Sequence, residues 1–186
     1  MTAIAIRLPS RTWRVLLNVA AFQAAWFACV ALAARGEAGW AVVAVAAAVL
    51  LHLALSDKPL VDALLAVFAI GVGLAWDTAA IRAGWISYAA PGPVAGIAPP
   101  WILALWALFA TTLREPLRWM HSRPLVAALF GAVGGPLSYA AAARMGACSF
   151  DDTRASLVVL GIAWALIAPV LVKLAQRLDG QVKVAG

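Results

Sequence analysis

Six apolar runs, each separated by a short stretch where charges and helix breakers gather, restrict this chain more than any other feature of its sequence. They cover residues 13–34, 39–56, 59–83, 99–113, 124–145 and 155–178. A run of about 20 apolar residues is the length a helix needs to cross the hydrocarbon core of a bilayer. Composition agrees: 65% of the 186 residues are hydrophobic and 12% are charged, where a soluble domain averages about 45–50% and 25%. The expectation is an all-α polytopic membrane protein, a bundle of six transmembrane helices forming a single integral domain over residues 1–186.

The boundaries have local reasons. "RGEAG" and "SDKP" close the first two runs. Pro59 and Pro124 suit a first helical position, where the missing N–H costs nothing. The stretch 84–98, "GWISYAAPGPVAGIA", is too rich in Gly and Pro to continue a helix. It is long for a structureless connection, and it reads either as a lid over the outer mouth near Asp77 or as an interfacial anchor. Pro116 to His121 reads as a short amphipathic piece at the interface. The second and fourth runs are short, covering about 24–27 Å of a ~30 Å core, but flanking charges favour spans over re-entrant loops.

Counting Lys and Arg sets the orientation. Ten of the fourteen, from Arg7 to Lys183, fall on the side that six spans assign to both termini; Arg35, Arg82, Arg144 and Arg154 fall on the other. Both termini are therefore expected in the cytoplasm. The net charge of +6 reads as this orientation signal, and no dense basic tract suggests a nucleic-acid partner. Arg7, Arg11 and Arg14 before an apolar stretch resemble a signal peptide, but Val15–Ala34 is about twice the length of a signal-peptide core and reads as a retained helix. Cys29 and Cys148 lack any metal or disulfide spacing.

In lipid, small residues and polar groups mark the faces where helices meet. Gly131, Gly135, Ser138 and Ala142 form such a stripe on the fifth run, and Ala20, Ala24 and Ala28 another on the first; either is a possible contact for a membrane protein partner. Asp77, the one acid among the apolar residues from Ala63 to Ile81, shares a helix face with Gly73, Ile70 and Ala66 and so points toward protein. Arg144 and Tyr139 lie at comparable depth, and one or the other is its expected partner. The pair is either a structural tie between the third and fifth helices or part of an outward-facing polar pocket. Gln23 and Trp26, three apart on the first helix, and Ser138 complete the candidate ligand-binding set. At the opposite depth Asn18, His52 and Thr111 form a secondary inner-side polar cluster.

Motifs for catalysis are missing. No HExxH, iron-binding His cluster, paired intramembrane aspartates or nucleotide loop occurs, so no catalytic residue, metal or cofactor is assigned. His52 and His121 lack the spacing of haem ligands.

Three stretches, "LNVAAFQAAWFACV" (17–30), "LWALFATTLREPLRWM" (105–120) and "GAVGGPLSYAAAARMGA" (131–147), resemble the bacterial inner-membrane family known as domain of unknown function 2878. The resemblance covers nearly the whole chain through Asn18, Gln23, Trp26, Trp106, Thr111, Pro136, Ser138 and Tyr139. It implies a small multi-pass protein of the bacterial inner membrane and supplies no activity. The leading reading is a protein that binds or transports a small solute or lipid-like molecule. A non-catalytic scaffold, such as an assembly factor or a partner subunit like the substrate-binding subunit of a vitamin transporter, is the alternative. A lipid-modifying enzyme ranks third.

Overall fold

A computed structural model describes residues 10–181. Six α-helices run alternately up and down: α1 (Arg11–Ala34), α2 (Ala38–Leu55), α3 (Pro59–Arg82), α4 (Pro100–Ala110), α5 (Pro124–Arg144) and α6 (Thr153–Gln181). The protein is an all-α polytopic membrane protein, and five of these helices are long and apolar enough to cross a bilayer. Large apolar side chains cover the outside: Leu60, Leu125, Leu129 and Leu166 are between 67% and 79% exposed. In water that would be untenable; against acyl chains it costs nothing, because lipid is as apolar as leucine. Both described ends lie on one face, here called the terminal face. Of the charges counted for orientation, Arg7 and Lys183 lie outside the described residues.

Since apolar burial gives helices no reason to associate in lipid, close approach and polar contacts must do so. Gly131 shows how. A Cβ there would strike the carbonyl of Trp164 and the side chain of Ala168, so α5 and α6 touch backbone to backbone. The stripe of Gly131 and Gly135 is thus spent within the chain. The stripe on α1 is not: Ala20 and Ala24 are exposed.

The fourth helix is where expectation and structure differ most. It ends at Ala110 and has 11 residues, about 16 Å at 1.5 Å per residue, roughly half a bilayer core. Thr111 and Thr112 turn their hydroxyls back onto the carbonyls of Leu108 (2.7 Å) and Phe109 (2.6 Å). Pro116 then disfavours helical geometry at Glu115. The chain completes the crossing in turns, with residues 111–115 all buried. Irregular backbone at this depth is tolerated only inside protein. Accordingly α4 is the centre of the bundle, with Trp101, Trp106 and Leu108 almost inaccessible.

On the opposite face, α3 and α5 each end in the same device. Gly84 (φ 73°) and Gly146 (φ 85°) adopt left-handed backbone, and the residue after each glycine bonds back to Ala80 and Ala142 (both 3.0 Å). The chain leaves both helices in matching directions. Two dipeptides, β1 (Ser87–Tyr88) and β2 (Cys148–Ser149), therefore meet as an antiparallel pair. This is the sheet face. The 84–99 loop is tied down there by Arg82 on the Gly96 carbonyl (3.1 Å), Thr78 accepting from the Ala98 amide (3.1 Å), and Ser156 on the Trp85 carbonyl (2.8 Å).

Candidate functional site

Asp77 is completely buried, and three uncharged donors surround it. Tyr88 from β1 (2.5 Å) and Tyr139 from α5 (2.8 Å) donate their hydroxyls to Oδ1, and the indole N–H of Trp106 from α4 (2.6 Å) reaches Oδ2. Local sequence makes each contact possible. Gly73 lies one turn before Asp77, and a Cβ there would occupy the space of the Trp106 ring. The β1–β2 pair holds Tyr88 over the end of α3, and its ring packs edge-on against Trp101 at 5.3 Å. Burial, and then the charge of Asp77, push the Tyr88 hydroxyl well above the usual phenol range, which keeps it a donor.

Among the described residues no Lys, Arg or His forms an ion pair with Asp77. The expected partnership with Arg144 is therefore corrected. Arg144 is the last residue of α5, exposed, five positions beyond Tyr139. Five residues rotate a helix by about 140° and advance it ~7.5 Å, so the two side chains leave α5 at different depths and directions. Tyr139 points inward; Arg144 points away.

Trp106 and Tyr139 do two things. Their polar atoms hold Asp77, and both residues also wall a cavity of about 380 Å³ between α1 and α5. The first and fifth helices stand apart, and α4 forms the floor between them. The mouth is lateral, because Leu137 (63% exposed) and Phe130 on its rim belong to the lipid-facing flank of α5. Trp106 and Trp164 stack within the wall, centroids 4.8 Å apart and 9° from parallel. Trp164 Nε1 is buried with no hydrogen-bond partner among the described residues.

Of the six candidate ligand-binding residues, Gln23, Trp26, Ser138 and Tyr139 line this cavity. Asp77 stands behind its wall, and Arg144 lies outside it. The outward polar pocket expected from the sequence is instead a sideways, mainly aromatic one. Trp106, Tyr88 and Trp164 were missed as site residues. Trp106 entered only through the family resemblance and Trp164 reads as ordinary apolar filling in a chain with 9 tryptophans; the 84–98 stretch that carries Tyr88 was expected near Asp77 only as one of two readings, with no residue-level contact.

The secondary cluster does assemble near the terminal face. Asn18 Nδ2 lies 3.1 Å from His52 Nδ1 and donates to the Thr111 carbonyl and hydroxyl at 3.2 Å. It is one edge of a larger ionic network. Arg114, 4% exposed, pairs with Asp62 and Asp57 at 2.9 Å and with Asp179 at 3.2 Å. Lys58 and Arg118 bind Asp179, and Arg14 meets Glu115 at 3.3 Å. His52 reaches Asp62 at 3.2 Å.

Both cysteines are free and buried, Cys29 on α1 and Cys148 beneath Tyr139. Burial pushes the Cys148 thiol up to about 12, so it is inert as a nucleophile at neutral pH. Among the described residues no group of three or more His, Cys, Asp or Glu side chains is placed to hold a metal.

These features define a small multi-pass membrane protein with an aromatic lateral cavity and a buried acid beside it. The model of a protein family of unknown function, DUF2878, matches residues 15–170, and the chain belongs to that family. No curated protein and no solved structure matches it.

Proposed function

We propose that this protein binds a small, largely apolar molecule in the lateral cavity between α1 and α5, with Gln23, Ser138 and Tyr139 offering hydrogen bonds to its polar part. One observation carries the reading. A volume of about 380 Å³ falls within the ~300–1,000 Å³ range of ligand sites. Access from the bilayer suits a molecule that partitions into lipid. The ten-to-four partition of basic residues supports placing the terminal face in the cytoplasm of a bacterial inner membrane. A partner-subunit role draws on the exposed Ala20 and Ala24, where a second helix can approach closely.

Gly134 offers a clean test. It lines the cavity, and a Cβ built there meets only Phe130 at 3.9 Å. Gly134→Leu is expected to fill the site without displacing backbone. Gly71→Leu, on the exposed face of α3 with open space around it, is the matched control. Native mass spectrometry from mild detergent should find a small molecule with wild type and Gly71→Leu that Gly134→Leu lacks. Identical spectra from all three proteins, each folded, would remove the basis for a binding function.

A further inference from the structure

None of the residues lining the cavity is Lys, Arg, His, Asp or Glu. Polar atoms are few there, and two are already engaged: the Trp106 N–H and the Tyr139 hydroxyl are bound to Asp77. Asp77 itself is completely buried behind the wall and offers a ligand no oxygen. Gln23 and Ser138 are different. Neither side chain forms a hydrogen bond among the described residues. The Ser138 hydroxyl does not turn back on its own helix, as those of Thr111 and Thr112 do. The cavity therefore offers one free amide and one free hydroxyl, each able to donate, in a wall that is otherwise apolar.

Their depth narrows the ligand further. Helices α1 and α5 both rise from the terminal face, because the six alternate. Gln23 lies twelve residues beyond Arg11, and Ser138 fourteen beyond Pro124. At 1.5 Å per residue these are about 18 and 21 Å along their helices, inside the ~30 Å hydrocarbon core. A phospholipid keeps its phosphate at the interface. To reach Gln23 it would drag that charge into hydrocarbon, where the lining has no basic side chain to receive it. An unpaired charge in an apolar site is strongly disfavoured, and a free organic ion of either sign meets the same obstacle. An uncharged lipophile already dissolves at that depth, and an oxygen on it would give the two unpaired donors a partner.

We propose that the cavity selects an uncharged lipophile, a ketone, quinone or alcohol on an apolar body, whose oxygen sits within the membrane core where Gln23 and Ser138 donate to it. This rests on the binding function proposed above. Charge is excluded by what the wall lacks, and the oxygen is chosen by the two groups that the fold leaves unpaired.

The test uses the full chain in phosphatidylcholine nanodiscs, dialysed against four naphthalenes of one shape. They are methyl naphthyl ketone, its alkene isostere isopropenylnaphthalene, naphthoate and naphthamidinium. Binding is the excess over matched nanodiscs without protein, which subtracts partition into lipid. The ketone should bind about three- to tenfold more tightly than the alkene, as one hydrogen bond in an apolar site allows. The two ions should show no excess. Gln23→Leu together with Ser138→Ala should bring the ketone down to the alkene, whose own binding stays unchanged, and Gly134→Leu should abolish both. Excess binding of either ion that matches the ketone would overturn the exclusion of charge. Equal binding of ketone and alkene by wild type, both lost in Gly134→Leu, would overturn the choice of an oxygen and leave the cavity as a binding site. A phospholipid held by wild type and lost by Gly134→Leu in native mass spectra would also overturn the proposal while keeping the binding function. Binding of no probe overturns it too, and native mass spectra that Gly134→Leu leaves unchanged would then remove the binding function with it.

Discussion

Asp62 and Asp77 lie on the same helix, fifteen residues apart, and both are buried, yet they are held in different ways. Asp62 accepts from Arg114 (2.9 Å) and Ser56 (2.5 Å) and faces His52. The cluster it belongs to holds four acids, Asp57, Asp62, Glu115 and Asp179, and four permanent cations, Arg14, Lys58, Arg114 and Arg118. Charge balances there. Asp77 has three neutral hydrogen-bond partners and, among the described residues, no cation. Removing an ion from water costs several kcal/mol even after relaxation, and the two sites offset that cost by opposite means. The balanced network behaves as a clasp joining α1, α3, α6 and the chain after α4. At Asp77 hydrogen bonds from α4, α5 and β1 stand where Asp62 has counter-charges.

The largest expected effect breaks the balanced site. Arg114→Met removes the one side chain shared by Asp57, Asp62 and Asp179. Stripping one partner from a buried ion pair typically costs about 3–5 kcal/mol, because the remaining charges stay buried and unpaired. Reversible unfolding in mixed micelles should show a loss of that order. A loss below about 1 kcal/mol would mean that the acids reach water when Arg114 is absent, and the contrast between the two aspartates would shrink accordingly.

A smaller effect is expected at Asp77. Tyr139→Phe deletes one hydroxyl from the cage and leaves the ring in the cavity wall. A hydrogen bond to a charged group contributes about 1.5–3 kcal/mol, so stability should fall within that range. Ser138→Ala, beside it and also lining the cavity, has no such bond to lose and should change stability by less than about 0.5 kcal/mol. Equal losses from the two would argue that Asp77 is protonated or otherwise insensitive to the donor count.

What was legible from the sequence, and what was not, divides along the same line. The helices were legible because lipid imposes a length and an apolar composition on each one separately. That Asp77 faces protein followed from the small residues on its side of α3, and Tyr139 followed from depth. Trp106 could not be assigned as a donor, because an indole in an apolar run has the same signature whether its N–H is used or idle. Tyr88 required the turns at Gly84 and Gly146 to send two chain segments to one place. The Arg114 network was hidden for a different reason. Its members sit at the ends of four elements, where basic and acidic residues are ordinarily taken as interfacial, and only the early stop of α4 draws Arg114 below the surface. The lateral cavity was equally out of reach, since a gap between α1 and α5 is a property of packing and leaves no mark on either helix alone.

The smallest predicted effect is also the one that most sharply separates helical pattern from structure. Arg144 and Asp77 were the natural pair from depth alone, the only basic and acidic side chains near that level of α5 and α3. Were they joined, Asp77→Asn and Arg144→Ala would each be costly, and the double variant would cost much less than their sum. The geometry predicts otherwise. Arg144 is exposed at the end of α5, where its charge also meets the carbonyl end of the helix favourably. Arg144→Ala should therefore change stability by no more than about 0.5 kcal/mol, and its coupling to Asp77→Asn should stay within ~0.3–0.5 kcal/mol, the range of independent sites. The cycle is read by unfolding in the same micelles as Arg114→Met, which sets the scale. A coupling above about 1 kcal/mol would give Asp77 a cation after all, and with it a balanced site like that of Asp62.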